Sequence, residues 1–229
     1  GHLIGNTECY LSAKDAGFHP GSYDIWVNIG KTASKTISRK YEKILYIWPA
    51  WFAYVVIRAN QMFSGHEKHM VQSQQVDRDI HNLCEKYSPH IGFTEREERR
   101  GEKLLRSLGI PDGAKWVCLI VRDSAYLRAK FPGIDLSYHD YRDSDISDFL
   151  PTAVELMNRG YYIIRMGDIV AKPMHVRHAK IIDYALRKDK TDFGQIYLGA
   201  KCAFCFGSHC GYMALPQAFN RPVGIVNYV

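Results

Sequence analysis

Three features of the sequence predict an α/β fold built on parallel strands. Trp116–Val121 (WVCLIV) is a continuous apolar run, as a strand buried on both faces requires. Further short apolar runs alternate with helix-length segments along the whole chain. The stretch from Cys202 to Asn227 reads as a strand, a glycine-flanked turn, a helix and a second strand. No repeat or low-complexity segment interrupts the alternation.

The first half is taken in order. Gly1–Gly17 reads as a glycine-bearing loop leading into a helix, with Asn6 or Thr7 as N-cap. Tyr23–Ile29 alternates like a strand, Ser34–Tyr41 is a short helix, and Lys43–Trp48 is a second strand. Pro49 opens a helix to about Met62, since proline is tolerated in a first turn. Its apolar part, Trp48–Ile57, is too short to span a bilayer; it reads as a core helix, with an interfacial one as the alternative. Residues 63–90 are polar and without clear period, and Ser88-Pro89-His90 reads as an inter-domain crossing.

The second half is more regular. Thr94 begins a charged helix to Leu108, with Thr94-x-x-Glu97 as a capping box and Gly109 as the stop. Strand Trp116–Val121 carries Arg122 and Asp123 at its C-terminal end. A polar loop, Asp135–Asp143, leads to a helix over Ser147–Arg159. Tyr161–Met166 is the next strand, with Gly167 and Asp168 at its end. Lys180–Tyr184 reads as a short strand and Thr191–Ala200 as a helix. Cys202–Phe206 is a strand, Gly207–Gly211 a tight turn, Tyr212–Asn220 a helix and Val223–Val226 the last strand.

In parallel sheets, ligands bind beyond the carboxyl ends of the strands. That rule gathers Arg122, Asp123, Arg165, Gly167, Asp168, Ser208 and His209 onto one rim, where Gly207 and Gly211 of the turn would let a ligand approach the backbone closely. Arginine forks match phosphate oxygens, and a helix mouth offers free N–H groups. The rim is therefore expected to seat a phosphate-bearing ligand. The net charge, 30 − 24 = +6, agrees with an anionic ligand or an anionic membrane surface and is too dispersed for nucleic acid.

Metal chemistry is not expected. Cys202-x-x-Cys205 with His209 and Cys210 lacks a second CxxC, and residues three apart on a strand point to opposite faces. Asp140, Asp143 and Asp145 read as loop caps for the helix near Ser147 rather than a cation site. All six cysteines read as reduced thiols of a cytoplasmic protein. The opening at Gly1-His2-Leu3 and the closing apolar strand predict a fold incomplete at both ends.

Three runs together resemble bacterial glycosyltransferases of surface-polysaccharide loci: CLIVRDSAYL (118–127), DYRDSDISDFLPTAVELMNRGYYIIRMGD (140–168) and YLGAKCAFCFGSHCGYMALPQAFNRPVGIVN (197–227). The resemblance covers most of the second half and, through Gly1-His2-Leu3, a little of the first. It implies two Rossmann-like domains whose parallel sheets face a cleft (GT-B-like). Residues 1–89 would form the acceptor domain and 90–229 the nucleotide-sugar donor domain, lacking its final helix. The rim residues would hold the donor diphosphate. Gln217 stands where this architecture often carries an acidic ribose ligand, so the nucleotide base stays open. His2 or Glu8 would act as catalytic base, with no metal and no cofactor besides the nucleotide-sugar substrate. The acceptor would be a glycan or a lipid-linked glycan, with the protein peripheral to the inner membrane face. Retention and inversion stay open. A non-catalytic binding module and a nucleotide-sugar epimerase are the alternatives on the same architecture.

Overall fold

The computed structural model describes residues 2–27, 33–71 and 79–227, with the side chain of His2 also outside that description. The chain divides into two compact units, His2–Gly92 and Phe93–Val229.

The first unit is mostly helical. Helix α1 spans His2–Asp15, five residues earlier than Thr7 suggests. Burial of Ile4 and Tyr10 outweighs the helix cost of Gly5. Strand β1 is reduced to Trp26–Val27; the remainder of the predicted Tyr23–Ile29 strand lies partly outside the described residues. Helix α2, Lys35–Tyr41, begins at Ser34, whose hydroxyl accepts the Ile37 N–H. Strand β2, Ile47–Trp48, pairs in parallel with β1. Helix α3, Ala50–Asn60, starts directly after Pro49. It is not a core helix: only Ala53 is buried, whereas Trp51, Tyr54 and Val55 are exposed. Helix α4, Leu83–Lys86, was not legible, because its start depends on Asp79, whose carboxylate accepts the N–H groups of Leu83 and Cys84. Among the described residues Ile4, Tyr10, Ile37, Tyr41, Ala53, Leu83 and Ile91 supply the buried apolar side chains of this unit.

The second unit carries the main sheet. Helix α5, Glu95–Ser107, has the full capping box: Glu97 N–H donates to Thr94 Oγ1 and Thr94 N–H to Glu97 Oε2. Strand β3 is Trp116–Ile120, all buried. Helix α6, Ala125–Lys130, follows it. A 3₁₀ turn, Ile146–Phe149, leads into α7, Leu150–Asn158. Strand β4 is Tyr162–Met166 and β5 is Ile181–Asp183. Helix α8, Asp192–Lys201, is capped by Thr191. Strand β6, Phe204–Ser208, begins two residues later than the apolar run from Cys202 suggests. A 3₁₀ turn, Gly211–Met213, precedes α9, Ala214–Ala218, and β7 is Val223–Val226.

Strands β3–β7 form one all-parallel sheet in the order β5-β4-β3-β6-β7. One apolar cluster packs around Trp116, Cys118, Ile120, Ile164 and Met166; the alternate residues Val117, Leu119, Val121 and Ile163 belong to another. Apolar packing on both faces explains why β3 reads as an unbroken apolar run. Gly207 lies within β6 and not in the turn after it. A Cβ there would stand 1.8 Å from the Ile120 carbonyl oxygen, and its φ is +144°. The glycine admits the neighbouring strand, not a ligand.

This architecture corrects the two-Rossmann expectation. Among the described residues there is one main parallel sheet, and the first unit contributes only the two-residue β1–β2 pair. Tyr23–Ile29 and Lys43–Trp48 read as longer strands than the described pairing of Trp26–Val27 with Ile47–Trp48. Among the described residues no helix is long and apolar enough to cross a membrane.

Candidate functional site: the crevice between β3 and β6

From β3 the chain moves to β4 and β5 on one side, then returns to place β6 and β7 on the other. The sheet order therefore reverses between β3 and β6. In open parallel sheets the crevice beyond such a switch point is the usual ligand seat. Arg122 stands just past the end of β3, and Ser208-His209 at the end of β6.

The two strand ends are tied together by a backbone N–H and a side-chain hydroxyl. The Arg122 N–H donates to Ser208 Oγ at 2.7 Å. Ser208 is completely buried, so its hydroxyl braces the sheet and does not face a ligand. The Arg122 side chain reaches the 137–145 loop instead. Its Nη1 donates to the His139 carbonyl oxygen at 2.9 Å and to Asp143 Oδ1 at 2.5 Å. The Ser144 N–H donates back to the Arg122 carbonyl, and Asn227 Nδ2 donates to Ser144 Oγ. This loop brings Arg142 in, with Nη2 against His139 Nδ1. Arg142 Nε is buried without a hydrogen-bond partner.

Charges of both signs meet in the crevice, Arg122 and Arg142 beside Asp143, Asp140 and Asp123. Burial lowers the His139 imidazole pKa, and Arg142 and Arg122 lower it further. Burial and the same two guanidinium groups lower His209. Both imidazoles thus favour the neutral form near pH 7, with one ring N–H donor and one acceptor nitrogen each, and in His139 the acceptor Nδ1 faces Arg142 Nη2. Burial pushes the Asp143 carboxyl up, and Asp140 and Asp123 add to it, so the pull of Arg122 is outweighed. Two fixed cations with two neutral imidazoles at a strand-order reversal suit a multiply charged anion.

The other expected residues divide. Asp123 is at the rim, but Oδ1 accepts the Ala125 N–H and Oδ2 the Ala171 N–H, so it joins the ends of β3 and β4. Gly167 and Asp168 follow β4; their carbonyl oxygens accept from Lys190 Nζ, and the Asp168 carboxylate pairs with Lys130 at 3.3 Å. Arg165 is a correction. It lies inside β4 with 1% exposure, paired to Asp183 at 3.2 Å and to the Lys172 carbonyl at 2.5 Å. Being one residue short of the strand end, it pins the chain around Lys172 to the sheet and is closed to a phosphate. Gly211 is exposed and opens the 3₁₀ turn without a positive φ. The expected Tyr212–Asn220 helix is that turn plus the five-residue α9, too short for a substantial dipole. Gln217 is exposed on α9.

The proposed bases belong to the first unit. Glu8 is buried; it accepts from Tyr41 Oη at 2.7 Å and from the His90 N–H, and it pairs with His90 Nδ1 at 2.9 Å. Those partners make it an internal anchor, which corrects its assignment as an acceptor-deprotonating base. The His2 side chain lies outside the described residues.

Arg142 and His139 were missed as site residues. Arg142 is visible in the sequence only as a cation among Asp140, Asp143 and Asp145; that the loop folds back onto Arg122 is a long-range fact. Of those acids, Asp145 does cap the turn at Ser147, Asp143 pairs with Arg122, and Asp140 lies 3.9 Å from Arg128. Cys202 Sγ donates to the Gly199 carbonyl at 3.1 Å, and among the described residues no group of three or more His, Cys, Asp or Glu side chains is arranged to hold a metal. A concavity of about 430 Å³ lined by Lys115, Trp116, Lys201 and Arg221 lies at the N-terminal ends of the strands, the edge opposite the crevice.

The second unit is thus a doubly flanked parallel α/β domain with Arg122, Arg142 and three carboxylates gathered at its switch point. Comparison with family models, curated proteins and solved structures found no match for this chain.

Proposed function

We propose that the second unit binds the diphosphate of a nucleotide-sugar in the β3–β6 crevice and that the chain is a glycosyltransferase. The observation that carries this is the placement of Arg122 and Arg142 beside two neutral histidines where the strand order reverses. Departure of a nucleoside diphosphate develops negative charge that such fixed cations stabilise without a metal. His209 or His139, neutral and within the same field, is suited to hydrogen-bond a phosphate oxygen. The resemblance of the sequence runs to polysaccharide-locus transferases supports a glycan or lipid-linked acceptor. Contact with the inner membrane face belongs to the same reading: α3 exposes Trp51, Phe52, Tyr54 and Val55, and no acidic residue occurs between Lys43 and His66.

Turnover of a nucleotide-sugar panel, with and without acceptor, tests this reading. Release of nucleoside diphosphate is the expected result; absence of both release and diphosphate binding overturns it. A second reading is a non-catalytic nucleotide-binding module. It is favoured by the commitment of Glu8 and Asp123 to internal hydrogen bonds, which leaves neither carboxylate available as a base. Binding without release identifies that case, and interconversion of the sugar identifies an epimerase.

A further inference from the structure

Two cysteines distant in sequence meet in the first unit. Cys9 lies on α1 and Cys84 on α4, and Cys84 Sγ donates to Cys9 Sγ at 3.7 Å. Both are half-buried, unlike Cys118, Cys202 and Cys205, which are shut inside the second unit.

We propose that Cys9 and Cys84 form a reversible disulfide, closed by exchange with a low-molecular-weight disulfide such as glutathione disulfide and reopened by thiols. The inference stands apart from the proposed function, since it concerns only the first unit.

The backbone on each side of the pair is already held. Asp79 grips the N–H groups of Leu83 and Cys84, fixing the start of α4. Beside Cys9, Glu8 takes the backbone N–H and ring Nδ1 of His90. One pair of chain segments is therefore stapled twice, at 8–90 by charge and at 9–84 by sulfur. A disulfide needs the sulfurs at about 2.05 Å, so closure asks for less than 2 Å of approach from two adjacent side chains.

The chemistry balances in two exchanges. One cysteine thiolate attacks a sulfur of the small disulfide, forms a mixed disulfide and releases a small thiolate, which takes up the proton lost. The second cysteine thiolate attacks the protein sulfur of that mixed disulfide, forms the Cys9–Cys84 bond and releases the second small thiolate. Two protein thiols are oxidised and one small disulfide becomes two thiols. The hydrogen bond to Cys9, with burial, pushes the Cys84 thiol up. Both exchanges need a thiolate, so the pair responds to a sustained oxidising poise more than to a brief pulse, and faster at higher pH. The closed ring contains β1, α2, β2 and α3. Cross-linking so much chain restricts the unfolded state, and the first unit becomes harder to unfold when oxidised.

The test uses the full chain in glutathione buffers of stepped oxidised fraction, quenched in acid, alkylated and mapped by peptide mass. The expected result is a linked Cys9–Cys84 peptide lacking two hydrogens, restored to two alkylated peptides by dithiothreitol. The unfolding midpoint read by tryptophan fluorescence rises in the oxidised protein. In Cys84→Ser, Cys9 keeps its glutathione adduct, because no second thiol displaces it. Free alkylation of both cysteines at every poise, or a lasting glutathione adduct on wild-type Cys9 or Cys84 without linkage, overturns the proposal. The wild-type map decides the question whether or not the variant folds.

Discussion

Replacing Asp143 with asparagine separates an anion-binding crevice from a merely structural one, because the two readings demand opposite signs. Asp143 sits at 2.5 Å from Arg122 Nη1, with its side chain 21% exposed. Asparagine keeps an acceptor for Nη1 and removes a negative charge from the crevice. A phosphate on the far prong of the guanidinium fork would lie about 7 Å from that charge, one N–H···O bond on each side. At this separation the repulsion removed is roughly 0.6–2.4 kcal/mol for effective dielectrics of about 80 and 20. The Asp143 side chain keeps 21% of its surface in water, which screens the charge and favours the lower part of the range. About 1 kcal/mol corresponds to roughly fivefold tighter binding. Stability moves the other way, falling by on the order of 1 kcal/mol as the ion pair becomes a bond from the charged guanidinium to a neutral amide oxygen. The assay is calorimetric titration of uridine and guanosine diphosphates and of pyrophosphate at low ionic strength, paired with urea unfolding. The gain in affinity should shrink as salt is raised. Unchanged or weaker binding by folded Asp143→Asn protein refutes the assignment of Arg122 to the ligand.

Three further outcomes follow from the geometry. Gly207→Ala adds strain at φ +144°, on the order of 1–2 kcal/mol, and drives a Cβ to 1.8 Å from the Ile120 oxygen; urea unfolding of the second unit should show at least about 3 kcal/mol lost, and a near-native midpoint would contradict the close strand approach. Ser208→Ala leaves the Arg122 N–H without its acceptor, costing about 1–3 kcal/mol of stability, while diphosphate affinity stays within a few-fold; a tenfold loss in the folded variant would put the hydroxyl on the ligand. The His90 pKa is raised, first by its hydrogen bond to Glu8, with Asp15 also contributing against burial. Because the folded value exceeds the unfolded one of about 6.5, this stabilisation is complete below about pH 6.5 and disappears as pH rises through the folded value. Tryptophan-monitored unfolding of the first unit should weaken over that interval, and His90→Gln should flatten the slope.

Local rules carried the second unit far. The capping box at Thr94, the all-buried β3 and a helix starting near Thr191 depend on neighbours within a few residues, and all three could be read directly from the chain. The rim rule also placed Arg122 and His209 at strand ends that adjoin. Its failures have a common cause. Arg165 was counted at the end of β4, yet β4 runs through Met166, and a one-residue difference turned a candidate phosphate ligand into a buried partner of Asp183. Gly207 was placed in the ligand turn, whereas its neighbour is the carbonyl of Ile120, 87 positions away in sequence.

Local pattern was enough to read the parallel α/β character of residues 93–227, because buried strands need unbroken apolar runs and capped helices announce their ends. The order β5-β4-β3-β6-β7, and with it the location of the crevice, came from the folded chain alone. It alone showed that Arg142 and His139 join Arg122, that Glu8 is spent on Tyr41 and His90, and that Cys9 meets Cys84. These are contacts between segments 17 to 82 residues apart. Periodicity and capping report on neighbours within one or two helical turns; which distant side chains share a site depends on how the closed chain packs, and no local pattern encodes that.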